Sequence, residues 1–469
     1  MQKVIKGECL KALKKMDSNS IDTIITDPPY GLSFMGKKWD YDVPSVEIWQ
    51  EALRVLKPGG TALIFAGSRT QHRMAVNIED AGFILKDTIL WVYGSGFPKA
   101  TDISKNIDKK AGAEREVIGK YSPPDGSKAR TTQQGYKADY VGTDHTTCNM
   151  ASCSNITAPT TDEAKEWDGW KSHGLKPAYE PILVCMKPNE GSYADNALKW
   201  GVAGLNIDAG RVEVDGTEDR SRDNSKCKDN DFFKGKKRIN VEIPKDLGRF
   251  PANFIHDGSE EVVELFPINN TKGSGIRKNK KNPYGDSRIW SVSNTPAQNT
   301  AGYTDSGSAA RFFYCAKVSK AERNIGCEDL EEKRYLDKIG CHGVKPGSAE
   351  KIMKEQGCTE KEVNEIIHQK ATNKNSHPTV KPIKLMEYLC NLTSTPKGGI
   401  VLDPFAGSGS TGLACQNTNR DFILIEREQE YIEIIRARLK GNQKKEIEEP
   451  KEPKQNTIWD IHQHKLKMT

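Results

Sequence analysis

Apolar and polar positions follow two rhythms along this chain, and the rhythms trade places. Short apolar runs at 3–6, 21–26, 61–66, 83–93, 181–186, 311–317 and 422–425 read as strands, as does the stretch that opens at Gly399. Between them, 10–16, 46–56, 69–81 and 431–439 space apolar side chains three and four apart, as amphipathic helices do, and Pro58-Gly59-Gly60 stops the second. Strands alternating with helices predict an α/β fold on a doubly wound, mostly parallel sheet. The run at 181–186 is expected to pair antiparallel with 84–92 at the sheet edge.

Long polar stretches interrupt this pattern and divide the chain. Residues 1–97 carry the first strands, and 98–177 is a Gly, Ser, Thr, Asp and Pro-rich insertion at a hairpin tip, longer than ordinary loops. An edge strand lies in 178–187. Residues 188–310 form a second insertion, with a helix at 193–200 and a turn at 248–254 expected to pack around Phe250 and Phe254. The chain returns to the core at 311–327, makes a charged helix-forming insertion at 328–372, completes the sheet in 373–440 and ends in a charged tail at 441–469, expected to be mobile or loosely docked.

The first candidate chemistry is Asp27-Pro28-Pro29-Tyr30. Two prolines without N–H groups end the strand at 21–26 abruptly and leave a carboxylate at its C-terminal edge, where open α/β sheets bind ligands. An exocyclic amino group on a nucleobase is a poor nucleophile because its lone pair is delocalised into the ring. Two acceptors on its N–H bonds, Asp27 and the Pro28 carbonyl, pull it towards a tetrahedral nitrogen, and Tyr30 can stack on an extruded base. The alternative is a Pro-Pro turn whose Asp merely caps something.

The second candidate is Asp403-Pro404-Phe405-Ala406-Gly407-Ser408-Gly409-Ser410-Thr411-Gly412, an apolar strand's end, a glycine turn and a helix start. Gly407, Gly409 and Gly412 fit the G-x-G-x-x-G spacing that lets a ligand approach backbone, and Glu426 ends the next strand as an acid placed for ribose hydroxyls. Too little chain follows Gly412 to build the rest of such a sheet. The earlier segments must supply it, so the domain reads as circularly permuted, with the cofactor loop last and the catalytic loop first.

DPPY at 27–30 and DPFAGSGS at 403–410, in that order with a long insertion between, resemble the permuted β-class of DNA amino-methyltransferases. His377-Pro378-Thr379-Val380-Lys381-Pro382 is similar to that class's segment near the methionine part of the cofactor, and Gly7-Glu8 to another cofactor-side element. The resemblance covers roughly 1–97, 178–200 and 310–440. It implies a seven-stranded, Rossmann-like methyltransferase sheet with an inserted target-recognition region. The reaction it implies is direct transfer from S-adenosylmethionine to the N6 of a flipped-out adenine in double-stranded DNA, with cytosine N4 the alternative and an RNA substrate a more distant one. The implied catalytic residues are Asp27, Pro28, Pro29 and Tyr30. The implied cofactor residues are Gly7, Glu8, Asp27, His377, Thr379, Lys381, Asp403, Phe405, Gly407, Ser408, Gly409 and Glu426. A homodimer is common in the class, and such an enzyme either has a cognate restriction endonuclease encoded elsewhere or acts alone.

Composition narrows the rest. A net charge of +6 permits DNA binding without requiring it. Basic residues cluster as Lys234, Lys236, Lys237 and Arg238, and as Arg277, Lys278, Lys280 and Lys281, candidates for phosphate contact or solvated loops. Lys37, Lys38 and Trp39, just beyond the tetrad, either close over base or backbone or pack on the domain surface. The insertion at 188–310 reads as a target-recognition region or a decoration, and 328–370 as a contact for DNA or a partner subunit. Cys327, Cys341, His342, Cys358 and His368 lack a close C-x-x-C pair, Cys148 and Cys153 are weaker still, and no metal is expected. A cysteine-based attack on a cytosine ring is not expected, since the chain contains no Pro-Cys pair. A nicotinamide oxidoreductase leaves the N-terminal tetrad unexplained. With no run of 18 apolar residues and no signal-peptide core, the expected location is the cytoplasm.

Overall fold

The computed structural model describes residues 1–32, 41–94, 96, 100–120, 155–213, 248–271, 305–316, 321–328, 330, 333–334, 372–377 and 379–448. Its centre is a mixed sheet of nine strands: β1 (Gln2–Lys6), β2 (Ile21–Thr26), β3 (Leu56–Phe65), β4 (Ile84–Val92), β5 (Tyr179–Met186), β6 (Phe254–His256), β7 (Tyr314–Cys315), β8 (Ile400–Asp403) and β9 (Asp421–Glu426). Their order across the sheet is β1-β9-β8-β2-β3-β5-β4-β6-β7. Only β5 runs against its neighbours, antiparallel to both β3 and β4. Seven strands were expected; β6 and β7, three and two residues long, extend the β4 edge beyond them.

Helices cover both faces. On one lie α1 (Cys9–Leu13), α2 (Val46–Val55) and α3 (Gln71–Asp80), where Leu13, Trp49, Val55, Met74 and Ile78 pack with Ile24, Ala62 and Ile64 of the sheet. On the other lie α4 (Ile383–Leu392), α5 (Ser410–Asn417) and α6 (Gln429–Glu448), where Leu385, Leu389, Ala414, Ile432 and Ile435 meet Ile25, Leu63 and Phe65. Neighbouring residues such as Ile24 and Ile25 thus serve opposite cores, which is why these strands read as continuous rather than alternating apolar runs.

Boundaries depart from the sequence reading where tertiary pairing overrides local signals. Pro58-Gly59-Gly60 lies inside β3 instead of before it. Gly59, at φ +71, passes over Asn196 so closely that a Cβ there would fall 2.2 Å from its Nδ2. Of the expected strand at 311–317, Arg311 and Phe312 close a 3-10 turn (Ala309–Phe312) and Tyr314–Cys315 form the short β7. Phe254 packs on Phe266 and Phe313 at 5.8 and 4.9 Å between ring centroids, but Phe250 is exposed and takes no part in the expected aromatic turn. Helix α6 continues into the expected tail as far as Glu448.

Two parallel strands from opposite ends of the chain, β2 and β8, are neighbours, with Thr23 opposite Val401 and Ile24 opposite Leu402. Asp22 fastens their start by accepting from Ile400 N and Lys57 Nζ, both at 2.7 Å. Buried Arg420 donates to Thr23 Oγ1 at 3.0 Å and to the Cys390 carbonyl at 2.9 Å, tying β2 to α4.

Asn196 offers a test of the β3 start that leaves the opposite sheet edge untouched. Its side chain donates to the Pro58 and Val202 carbonyls at 2.7 and 2.6 Å and accepts from Glu190 N at 3.0 Å. Asn196→Ala strands these buried groups, and urea denaturation should show a loss of about 3 kcal/mol; a change below about 1 kcal/mol would mean that water replaces the amide without cost.

Candidate active site

β2 and β8 end side by side, and each delivers a carboxylate. Asp27 follows β2 and remains partly exposed, whereas Asp403, the last residue of β8, is 2% exposed. Asp403 accepts from Thr26 Oγ1 at 2.7 Å, Thr411 Oγ1 at 2.5 Å and Phe405 N at 3.1 Å. Burial pushes its carboxyl up to about 6, against the pull of the three hydrogen bonds. Asp403 thereby holds β2, the turn after β8 and the first turn of α5 together.

The turn itself needs its glycines. Gly407 and Gly409 sit at φ +53 and +81, a region L side chains avoid, and a Cβ on them would meet His377 Nε2 at 2.7 Å and Ile435 Cγ1 at 3.1 Å. Gly412 answers a different need: a Cβ there would fall 2.7 Å from Leu424 Cδ1, so its absence lets α5 lie close on β9. From below, buried Arg438 of α6 donates to the Ser408 carbonyl at 2.8 Å and to Ser408 Oγ at 3.1 Å. Burial lowers that guanidinium to about 10. From the side, Glu426 at the end of β9 accepts from Gly407 N at 2.9 Å and from Arg427 N and Glu428 N at 2.8 Å.

Around Asp27 the charges converge. Lys381, 9% exposed, places Nζ 2.6 Å from Asp27 Oδ2 and 3.2 Å from Glu180 Oε2 of β5. The Tyr30 hydroxyl lies 2.6 Å from Asp27 Oδ1 and 3.2 Å from Glu180 Oε2, and Tyr93 Oη is 3.4 Å from Glu180 Oε1. Burial alone would lower the Lys381 ammonium, but Asp27 and Glu180 outweigh it and hold it above the usual lysine range. Burial and the same two carboxylates push Tyr30 well above an ordinary phenol. Gly67, after β3, leaves room for the Tyr30 ring, since a Cβ there would stand 3.2 Å from it.

A carboxylate beside a proline carbonyl and an aromatic ring, one strand away from a glycine cradle, suits transfer to an amino group. Residues 21–437 match a family described as DNA methylase. The chain belongs to the DNA methylase family. Among curated relatives, the chain is 25% identical over 246 residues to Type II methyltransferase M.HindIII of Haemophilus influenzae, covering 43% of this chain and 64% of the relative. It is 43% identical over 118 residues to Type II methyltransferase M.HpaI of Haemophilus parainfluenzae, covering 23% and 37%. These matches thus span less than two thirds of the relatives' own lengths. Among solved structures, PvuII DNA methyltransferase (cytosine-N4-specific) aligns at 14% identity and a TM-score of 0.36 over 93% of this chain and 85% of that one. The M1.HpyAVI–SAM complex aligns at 16% and 0.34 over 94% and 99%.

In this chain, Asp27, Pro28, Pro29, Tyr30 and Lys381 come together at one end of β2, with Asp403, Phe405, Gly407, Ser408, Gly409 and His377 beside them. The resemblance put Lys381 on the cofactor's methionine side; its ammonium rests on the Asp27 carboxylate. Glu8 caps α1, accepting from Leu10 N and Lys11 N at 3.0 Å, and Gly7 N donates to the Glu426 carbonyl at 2.9 Å. Ser408 turns to Arg438, Phe405 lies 6.4 Å from the Trp49 ring, and Thr379 is exposed. Lys37, Lys38, Trp39, Lys234, Lys236, Lys237, Arg238, Arg277, Lys278, Lys280 and Lys281 lie outside the described residues, as do Cys148, Cys153, Cys341, His342, Cys358 and His368. Cys327 is described and buried, with its thiol donating to the Ile325 carbonyl. Among the described residues no helix is long and apolar enough to cross a membrane.

Sequence reasoning missed Glu180, Tyr93 and Arg438. Glu180 carried one signal, an acid inside an otherwise apolar strand. Arg438 carried none.

His377 provides a pH test. Its ring is packed edge-on to Tyr431 at 4.5 Å, its Nδ1 faces the Thr379 carbonyl, and burial lowers it to about 4. An unfolded histidine titrates near 6.5, so stability present above that pH is lost as pH falls towards 4, when only the unfolded chain takes up the proton. Thermal melts should show this acid loss, roughly 3 kcal/mol, in the wild type and not in His377→Asn. Asp403 titrates in the opposite sense over the same window, but it is present in both proteins and cancels in the comparison.

Proposed function

We propose that this chain is a permuted, β-class DNA amino-methyltransferase that methylates the N6 of an adenine extruded from double-stranded DNA. The observation that carries the proposal is the placement of the Asp27 tetrad and the Gly407–Gly409 turn at the ends of adjacent strands β2 and β8. Membership in the DNA methylase family supports it, and Asp at the tetrad's first position, as the resemblance implies, favours adenine over cytosine N4.

The residues fit S-adenosylmethionine. Gly407 and Gly409, both in the left-handed region, form the turn between β8 and α5 with His377 and Ile435 packed where Cβ atoms would stand, and Glu426 ends the neighbouring strand with its carboxylate on the Gly407 amide. When bound, S-adenosylmethionine supplies a methyl group already activated by its sulfonium, so no covalent enzyme intermediate is needed.

The chain's own work is at the amino group. Asp27 and the Pro28 carbonyl accept its two N–H bonds, which withdraws the lone pair from the ring and turns it outwards. Lys381 donates to Asp27 Oδ2 at 2.6 Å and so holds the carboxylate in a fixed position. The Tyr30 ring, braced at Gly67 and by its hydroxyl, offers a face for the flipped base to stack on.

DNA from cells expressing wild type or Asp27→Ala, mapped by single-molecule sequencing and nucleoside mass spectrometry, tests the reading. N6-methyladenine at one short motif is expected with wild type only, with Asp27→Ala at least about 1,000-fold down, the scale of a lost transition-state acceptor, and S-adenosylmethionine binding retained. N4-methylcytosine instead would reassign the base, and an active Asp27→Ala would remove Asp27 from the mechanism. No modified base in DNA from wild-type cells would turn the reading towards RNA.

A further inference from the structure

We propose that Glu180 is the outlet for the proton that the target amino group must lose, and that the Tyr30 hydroxyl passes it there. The inference rests on the methyltransferase reading above and assigns a role to a carboxylate which that reading leaves unused.

The observation is a hydroxyl with one hydrogen and two carboxylate acceptors. Tyr30 Oη stands 2.6 Å from Asp27 Oδ1 and 3.2 Å from Glu180 Oε2. It can donate to only one of them at a time. With Asp27 ionised, the shorter contact places the hydrogen there. Once Asp27 is protonated it becomes a donor, and Tyr30 can accept from it only while turning its own hydrogen to Glu180.

The sequence of bonds follows. The amino nitrogen, on gaining a methyl group, carries a positive charge. One of its N–H bonds breaks, the electron pair stays on nitrogen, and an O–H bond forms on Asp27. That proton moves to Tyr30 Oη as the original hydroxyl proton moves to Glu180 Oε2. Water then takes it from Glu180, whose side chain is 22% exposed. One proton leaves the amino group, one reaches solvent, and nothing is oxidised or reduced.

The groups facing Glu180 suit that task. Lys381 Nζ lies 3.2 Å from Oε2 and also binds Asp27, so two carboxylates share one ammonium and the cluster carries a net negative charge. It can take up one proton without becoming cationic beside a newly cationic base. Tyr93 Oη at 3.4 Å holds Oε1, and Trp91 of β4, opposite Glu180 in register, does not titrate. His377 feels the charges of Asp27 and Lys381, and burial keeps it neutral near pH 7. Glu180 pairs with Trp91 of β4, two residues ahead of Ile182 where β5 becomes paired on both sides, and this fixes where Glu180 emerges.

The test is single-turnover methylation of phage DNA from a methylation-free host, with labelled S-adenosylmethionine and the full-length protein. Glu180→Ala should slow transfer about 100-fold, the low end for a lost proton acceptor, with S-adenosylmethionine and DNA affinities within twofold of wild type. Added formate should restore much of that rate, and Glu180→Asp should be partly active. Tyr30→Phe, which keeps the ring and removes the relay, should lose a similar factor that formate does not restore. If Glu180→Ala fails to fold, Glu180→Asp and Tyr30→Phe decide alone, and wild-type rates in both overturn the relay. Wild-type rate in Glu180→Ala, or a loss that formate does not touch, also overturns it while leaving the methyltransferase reading standing. If wild type transfers no methyl group to DNA, that reading fails and the relay falls with it.

Discussion

The contact between the Lys381 ammonium and the Asp27 carboxylate, at 2.6 Å, is the interaction on which the site's geometry turns. It joins residues from opposite ends of the chain, and it does so where water is largely excluded. An unpaired ammonium at that depth would be costly to keep charged. With Asp27 and Glu180 both within reach, the charge is compensated and both carboxylates acquire defined positions. Remove the lysine and two carboxylates face each other across a tyrosine hydroxyl with no counter-charge.

The same economy of buried polar groups recurs beneath the glycine turn. Asp403 takes hydrogen bonds from β2, from the turn and from α5, while Arg438 grips the turn's backbone from α6. A turn with two residues at positive φ is poorly determined by its own sequence, because glycine is free in the unfolded chain. Here its shape is imposed from three sides, by Glu426, Arg438 and His377. A cradle held in this way is formed before a ligand arrives, so binding need not order it.

Much of this was legible in advance for definable reasons. Ile21 to Thr26 and the stretch at 399–412 declared themselves because a buried parallel strand must be apolar on both faces and must end in residues that break it. Gly407 and Gly409 were visible because their backbone lies where L side chains rarely go, and Gly412 because no side chain fits between α5 and β9. Glu180 and Arg438 were not, because each acts through a distant partner: Glu180 through Lys381, 201 positions on in the numbering, and Arg438 through a turn that its own helix covers. The misplaced start of β3 has the same origin, since Gly59 is accommodated by Asn196 and not by its neighbours in sequence.

The sequence by itself determined the element types, their order and the two motifs, since periodicity, proline and glycine act over a few residues and require no fold to be read. Tertiary structure alone decided that β2 and β8 are neighbours, that Lys381 rests on Asp27, that Glu8 caps a helix, and that β6 joins the edge beside β4. Those outcomes depend on which surfaces of the chain exclude water together. Such pairings are properties of the packed whole, to which each local segment contributes without specifying its partner.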